Sequence, residues 1–291
     1  MTLGISFLSG TYSVVECSIL TLGNPMNWPL VSVLFVTYKR IHLLERTLAA
    51  FSRHTDYPNL ELVVADDGSS ASVQEQIRRL KFDKYELAGK NRGMGANMNA
   101  GLAACRGEYI FVLQDDWDCQ GPSKWLQQAV AVMEQNPRLG LLKYYGVKHN
   151  TTGFPLPGCK TTCLRISPEP DSRESSNVYS DAPHICSRAF QEFIGPYRED
   201  VPMDECELDY IARVDRQDQY FGALFPAYYN RLFVHTGDED SFRTTTLRFR
   251  MEQSLLPLAN GLKRHGGPAF RISKSLYRGV TRTLVRIGVM K

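Results

Sequence analysis

Hydrophobic positions along residues 31–118 alternate between two periods. "VSVLFVTY" (31–38) is a short β-branched run of the kind buried inside a parallel sheet. From about 41 to 53 the apolar residues fall at helical spacing, through Leu44, Leu48 and Phe51. "LELVVADDGSS" (60–70) reads as a second strand that ends in two acids and a Gly-Ser turn, and 71–80 reads as a helix capped by Ser70 or Ser72. "NRGMGANMNAGLAACRG" (91–107) is a glycine-rich turn entering a helix, and "YIFVLQDD" follows as a strand. Strand, helix, strand, helix, strand in this order predicts βαβ units and an α/β fold with a mostly parallel sheet flanked by helices.

In such sheets ligands bind outside the carboxyl ends of the strands. The acids sit there: Asp66 and Asp67 after one strand, Asp115, Asp116 and, just beyond, Asp118 after another. Carboxylates this close repel one another, so either they are solvated loop residues or a cation shares the site. The Gly-x-Gly of "GMGANM" does not make a dinucleotide fingerprint, because Met98 stands where its third glycine belongs. No phosphate-loop pattern is present either.

The 291 residues suffice for one large domain with an appendage. The net charge of +3 hides an asymmetry. Residues 243–291 hold eleven Lys or Arg and one acid, for +10; residues 1–242, with 23 basic and 30 acidic residues, carry −7. On a helical wheel over 270–291, Leu276, Val280, Leu284 and Ile287 share one sector opposite Arg271, Lys274, Arg278, Arg282 and Arg286. That α-helical basic extension either lies on an anionic membrane or packs on its own domain, and it lacks the interleaved aromatics of a nucleic-acid binder, so no nucleic acid is expected. Residues 1–28 read as a flexible leader, with Met26 as an alternative start. They lack a basic n-region, Glu16 interrupts them, and no other segment has the length and apolarity of a membrane span. The seven cysteines read as reduced thiols of a cytoplasmic protein, peripheral on the membrane if the tail binds lipid. A zinc site from Cys159, Cys163, His184 and Cys186 fits no compact finger spacing.

The series "VSVLFVTYKR", "ELVVADDGSS" and "NRGMGANMNAGLAACRGEYIFVLQDD" resembles the nucleotide-binding half of the GT-A glycosyltransferases, and is most similar to their large inverting family numbered 2. Those enzymes end the first strand in Thr-Tyr-Asn-Arg and the second in Asp-Asp-Gly-Ser, and place an Asp-x-Asp metal motif on the strand that follows the glycine-rich helix. More loosely, 187–213 is similar to the family's acceptor-side segment, with Arg213 on its downstream Arg, and "RLFVHTGDEDS" to a His-x-Gly segment that contacts metal or diphosphate. The chain departs from the pattern at Gln114, where relatives have an acid, at Met98, where many have Arg, and at Cys206-Glu207, written Glu-Asp elsewhere.

The resemblance implies a Rossmann-like GT-A domain at 29–242, divided into a nucleotide-sugar half (29–120) and an acceptor half (121–242). It implies a transferase that moves a sugar from a nucleotide donor, UDP favoured, to a hydroxyl of a glycan or lipid-linked acceptor. Asp116 and His235 would hold Mn²⁺ or Mg²⁺, with His235 alternatively a plain core or surface residue. Thr37, Asp66, Asp67, Asn91, Arg92, Gln114 and Asp115 would line the nucleotide-sugar pocket, Asp66 accepting an imide N–H of uracil. Asp118 is either part of the site or a helix cap near Pro122. Glu207 is the first candidate base, with Asp204, Glu205 and Asp209 next and His184 an outsider. The Pro-, Ser- and Thr-rich 150–186 segment is expected to be an acceptor-side loop. The rivals are a sugar-1-phosphate nucleotidyltransferase, whose glycine-rich first turn "TYKRIHLLER" lacks, and a nucleotide-sugar-binding protein that has lost catalysis.

Overall fold

A computed structural model describes residues 27–144, 178–225 and 232–237, together with the backbone of 151–155 and 162–166. The leader up to Met26, Cys159, Glu239–Lys291 and with them the basic helix expected over 270–291 lie outside the described residues. Among the described residues no helix is long and apolar enough to cross a membrane.

The three strands that the sequence predicts and one that it does not form parallel neighbours: β1 (Val31–Thr37), β2 (Leu60–Asp66), β3 (Lys84–Leu87), the unexpected one, and β4 (Tyr109–Gln114), in the order β3-β2-β1-β4. The helices α1 (Ile41–His54), α2 (Ala71–Arg79) and α3 (Met94–Ala104) connect them. Side chains alternate between two cores. Val33, Phe35, Phe111 and Leu113 pack with Phe51 and Trp125 on one face; Leu34, Ile110 and Val112 pack with Met98, Tyr179 and Tyr210 on the other. Cover on both faces is why these strands read as unbroken apolar runs rather than alternating ones. Each large side chain so buried contributes about 1.5–3 kcal/mol.

Beyond β4 the sheet becomes mixed. A short strand outside this sheet, β5 (Trp117–Cys119), precedes α4 (Trp125–Gln135) and β6 (Leu139–Lys143). The 150–186 segment is not one loop: it supplies β7 (Thr151–Pro155), β8 (Thr162–Ile166) and, just at its end, β9 (His184–Ser187), all joined to the main sheet. β9 fills the gap between β4 and β6 and runs antiparallel to both. Its loop-like composition is tolerated because β7 lies at the sheet edge, where Pro155 forfeits no interior ladder bond. Then α5 (Arg188–Ile194), α6 (Met203–Arg216), β10 (Phe221–Leu224) and β11 (Phe233–His235) follow, β11 pairing antiparallel with β5.

Register aligns the strand ends. Thr37 lies opposite Asp66, Val36 opposite Gln114, and Asp115 donates its backbone N–H to the Val36 carbonyl at 3.1 Å. Gly68, at φ +74, turns the chain after β2; a Cβ there would meet the backbone of Lys90 as well as the left-handed penalty. One carboxyl-end rim therefore carries Thr37, Asp66, Asp67, Gln114, Asp115 and Asp116.

Candidate functional site

The two acidic strand ends are built differently. Asp66 is fully buried, and its carboxylate is bonded by its own chain: the Ser69 backbone N–H at 2.9 Å, the Ser69 hydroxyl, and the Gln74 amide at 2.9 Å. Asp67 accepts the backbone N–H groups of Arg92 (2.8 Å) and Gly93 (3.0 Å), fixing the turn into α3. Asn91 and Arg92 themselves are exposed on that turn. Asn97, at the buried face of α3, donates to the Ala65 carbonyl at 3.2 Å. These bonds hold the β2 end rigidly.

The β4 end concentrates charge around one guanidinium. Arg40 reaches both oxygens of Asp115 through Nε and Nη2, and Asp116 Oδ2 through Nη1 at 3.0 Å. Thr37 commits its hydroxyl to Asp115 Oδ2 at 2.7 Å. Burial pushes the Asp115 carboxyl up to about 6, with Arg40 and Thr37 pulling it down and Asp116 pushing it further up. Lys39, just before Arg40, has a left-handed backbone at φ 64, a conformation in which Asn is several-fold enriched over lysine. Its N–H donates to the Ser69 hydroxyl at 2.7 Å, tying the two strand ends together.

β11 brings the third component. His235 pairs in register with Trp117, its ring 4.9 Å from the indole, and its Nε2 lies 3.5 Å from Asp116 Oδ2. The Thr236 N–H and hydroxyl both donate to the Asp116 carbonyl, at 2.8 and 3.0 Å. Position 237 is glycine because a Cβ would run into Asp116 Cβ and Oδ2. Asp116 Oδ1 is buried with no hydrogen-bond partner. The orphaned Oδ1, with the imidazole against the other oxygen of the same carboxylate, could contribute to a donor set for a divalent cation of the Mn²⁺ kind, with the remaining positions left to a ligand. Among the described residues no group of three His, Cys, Asp or Glu side chains is arranged to hold a metal alone.

The acceptor-side acids separate once they are on α6. Asp204 and Glu205 are exposed in its first turn. Asp209 pairs with Arg213 at 3.0 Å, and Arg213 in turn bonds the Ile194 and Pro196 carbonyls. Glu207 is half-buried and turns toward the β4 end: its Oε1 accepts the Asp181 N–H at 3.4 Å, and Asp181 Oδ2 accepts the Gln114 amide at 3.2 Å. Lys143, 4% exposed, lies in the field of Glu207, Asp181 and Asp215; burial pushes its amine down to about 8 against their attraction.

Several expected positions come to rest elsewhere. Asp118 caps no helix: it lies in β5 and pairs with Arg46 at 3.2 Å, while Lys124 occupies the cap of α4. Met98 and Cys206 are core residues, both packed in the second cluster, so the departures at these positions concern packing. His184 is buried, its Nδ1 2.8 Å from the Ala182 carbonyl, and burial holds it down near 4, hence neutral. Cys186 is a buried free thiol. Sequence reasoning passed over Arg40, Lys143 and Asp181. The first two had a signal: an arginine directly after a strand mouth, and a lysine inside the apolar run "LGLLKYY".

The glycosyl transferase family 2 model matches residues 32–189. The chain is 29% identical over 123 residues to a GalNAc(5)-diNAcBac-PP-undecaprenol beta-1,3-glucosyltransferase of Campylobacter jejuni, covering 40% of this chain and 38% of that protein. It is 32% identical over 96 residues to the putative glycosyltransferase EpsH of Bacillus subtilis, covering 32% and 28%. The chain thus spans well under half the length of these relatives. Its fold is similar to that of the mannosyltransferase PcManGT from Pyrobaculum calidifontis, solved with GDP-Man and Mn²⁺ (TM-score 0.50, 19% identity, 84% of this chain and 67% of that one). It is also similar to residues 1–349 of S. aureus TarS solved with UDP (TM-score 0.50, 19% identity, 68% and 58%).

Proposed function

The chain belongs to glycosyl transferase family 2, and on that premise we propose that it moves a sugar from a nucleotide donor, UDP-linked, to a hydroxyl of a glycan or lipid-linked acceptor, with inversion. One observation carries the reading. At the end of β4, Asp115 and Asp116 with Arg40 and His235 stand on one side, and Glu207, reached through Gln114 and Asp181, stands on the other. A donor diphosphate needs the first group and an acceptor hydroxyl needs the second.

Asp116 and His235 would hold a divalent cation, which supplies Lewis-acid stabilisation of the diphosphate leaving group. The buried, unpartnered Asp116 Oδ1 supports that assignment. Arg40 places a permanent positive charge at the same spot and keeps Asp115 and Asp116 together. Glu207 takes the proton of the acceptor hydroxyl. The acceptor oxygen forms its bond to the anomeric carbon, and the bond to the diphosphate oxygen breaks with its electron pair leaving on the nucleotide. A base within hydrogen-bond reach contributes roughly 10²–10⁴ in rate. Asp66 reads the nucleobase in this proposal, which requires one of the Ser69 or Gln74 bonds to open, since the side chain is wholly enclosed. Thr37, Asp67, Asn91 and Arg92 would line the base side of the donor site, and Asp115 would adjoin the ribose or sugar. The reading of a disabled binding protein loses its motive at Cys206, where an acid would be buried in the core rather than offered to a substrate.

Calorimetric titration of UDP, GDP and CMP into the unaltered chain and Asp116→Ala, each with Mn²⁺ and with EDTA, tests the donor half. UDP binding that needs both Mn²⁺ and Asp116 is expected. Binding that survives EDTA or the substitution removes Asp116 as the metal anchor, and no nucleotide binding at all ends the donor reading.

A further inference from the structure

Gln114 is a departure that falls inside the site, whereas Met98 and Cys206 lie in the core. Relatives resembled by this segment carry an acid there, which makes the glutamine look like a weakened metal motif. Its surroundings give it another task. An ionised carboxylate can only accept, so the Gln114 amide nitrogen, 3.2 Å from Asp181 Oδ2, is the donor of that bond. Asp181 then passes its backbone N–H to Glu207 Oε1. Glu207 is faced by Asp181 from the turn before β9, by Lys143 from β6 and by Tyr179, and Lys143 lies in the field of Asp181 and of Asp215 on α6 as well. A carboxylate at position 114 would stand against Asp181 across the same short gap, close to Asp115 and Asp116. Two carboxylates so placed cannot both stay ionised.

We propose that Gln114 and Asp181 are a matched pair that positions Glu207 toward the acceptor hydroxyl, so that the amide at 114 is required by this chain's own acceptor side. The proposal rests on Glu207 as the base. Asp181 acts through Glu207 and is a positioning residue; Gln114 links it to the strand that also carries Asp116. The pair joins the donor strand β4 to the acceptor helix α6 through hydrogen bonds and without a metal.

The test is a four-protein cycle: the unaltered chain, Gln114→Glu, Asp181→Asn and the double variant. Three quantities are read on each: UDP release from UDP-Glc, UDP-GlcNAc, UDP-Gal and UDP-GalNAc with Mn²⁺ as a function of pH, the Kd of UDP, and the thermal unfolding midpoint. Gln114→Glu should lower turnover about tenfold or more while the UDP Kd stays within about twofold, because the acid displaces Asp181 and not the nucleotide. The double variant restores an amide–carboxylate bond with its polarity reversed, and should recover turnover, its pH profile and the unfolding midpoint to near the unaltered values. Turnover of Gln114→Glu equal to the unaltered chain overturns the pair. So does a double variant whose losses are the sum of the singles. A Gln114→Glu variant that weakens UDP binding and is not rescued by Asp181→Asn makes Gln114 a donor contact, which also overturns the proposal. If the unaltered chain binds no UDP, the donor reading fails by itself. The unfolding midpoints then decide the pair, rescue supporting it and additivity refuting it.

Discussion

Two clusters of carboxylates flank the end of β4, and each is built around one cation. Arg40 forks across Asp115 and Asp116; Lys143 sits among Asp181, Glu207 and Asp215. The choice of cation separates their roles. A guanidinium stays charged at any working pH and binds two carboxylates with fixed geometry, so the Arg40 cluster is a permanent clamp. A buried ammonium gives up its proton readily, and Lys143 does so near pH 8. The acids around Arg40 are thus locked, whereas the acids around Lys143 share a cation whose charge depends on conditions. A site that holds a diphosphate on one side and accepts a proton on the other, as proposed, would have use for that asymmetry.

The largest effect should come from removing the proposed base. Glu207→Gln is expected to lower UDP release from the sugar donors by about 10²–10⁴ with little change in UDP affinity. Steady-state kinetics alongside calorimetry checks it. If Asp209→Asn gives that loss and Glu207→Gln does not, the Lys143 cluster is not the base side and the comparison breaks.

Arg40→Met tests the clamp. It strands two largely buried carboxylates and should cost about 3–5 kcal/mol of stability at neutral pH without metal. Added Mn²⁺ should return part of that loss, because a cation is again available to Asp116. Denaturant unfolding with and without Mn²⁺ reads both, and a variant as stable as the unaltered chain would mean the clamp contributes nothing.

The smallest effect sharpens the contrast between the two cations. Lys143 titrates near 8 in the folded chain and near 10.5 when unfolded, so between those values the unfolded state binds more protons and stability rises with pH. The penalty of burying the charged amine is fully present below about 8 and is relieved as the pH climbs toward 10.5. Unfolding of the unaltered chain and Lys143→Met from pH 7 to 10 should therefore show the difference moving in favour of the unaltered chain, by up to about 3 kcal/mol. Parallel curves would place the lysine's charge in solvent.

Local pattern accounts for most of the nucleotide half. The runs 31–38, 60–66 and 109–114 became β1, β2 and β4, and α1, α2 and α3 lie where the spacing put them, with Ser70 as the cap of α2. β3, with only half-covered side chains, and the strands inside 150–186 left no such trace, because short or edge strands need neither a long apolar run nor strict alternation. The sequence by itself determined that acids would gather on one rim: strand periodicity and βαβ order suffice, since parallel strands must point their carboxyl ends the same way. It could not determine which acid does what. Asp66 and Asp116 follow similar apolar runs, yet one carboxylate is filled by Ser69 and Gln74 and the other keeps one oxygen unpartnered, with His235 near its second. The pairing of β11 with β5 brings His235 to Asp116, and Asp181 links Glu207 to Gln114. Those meetings depend on sheet register and helix rotation between segments remote in the chain, where no local periodicity carries a signal.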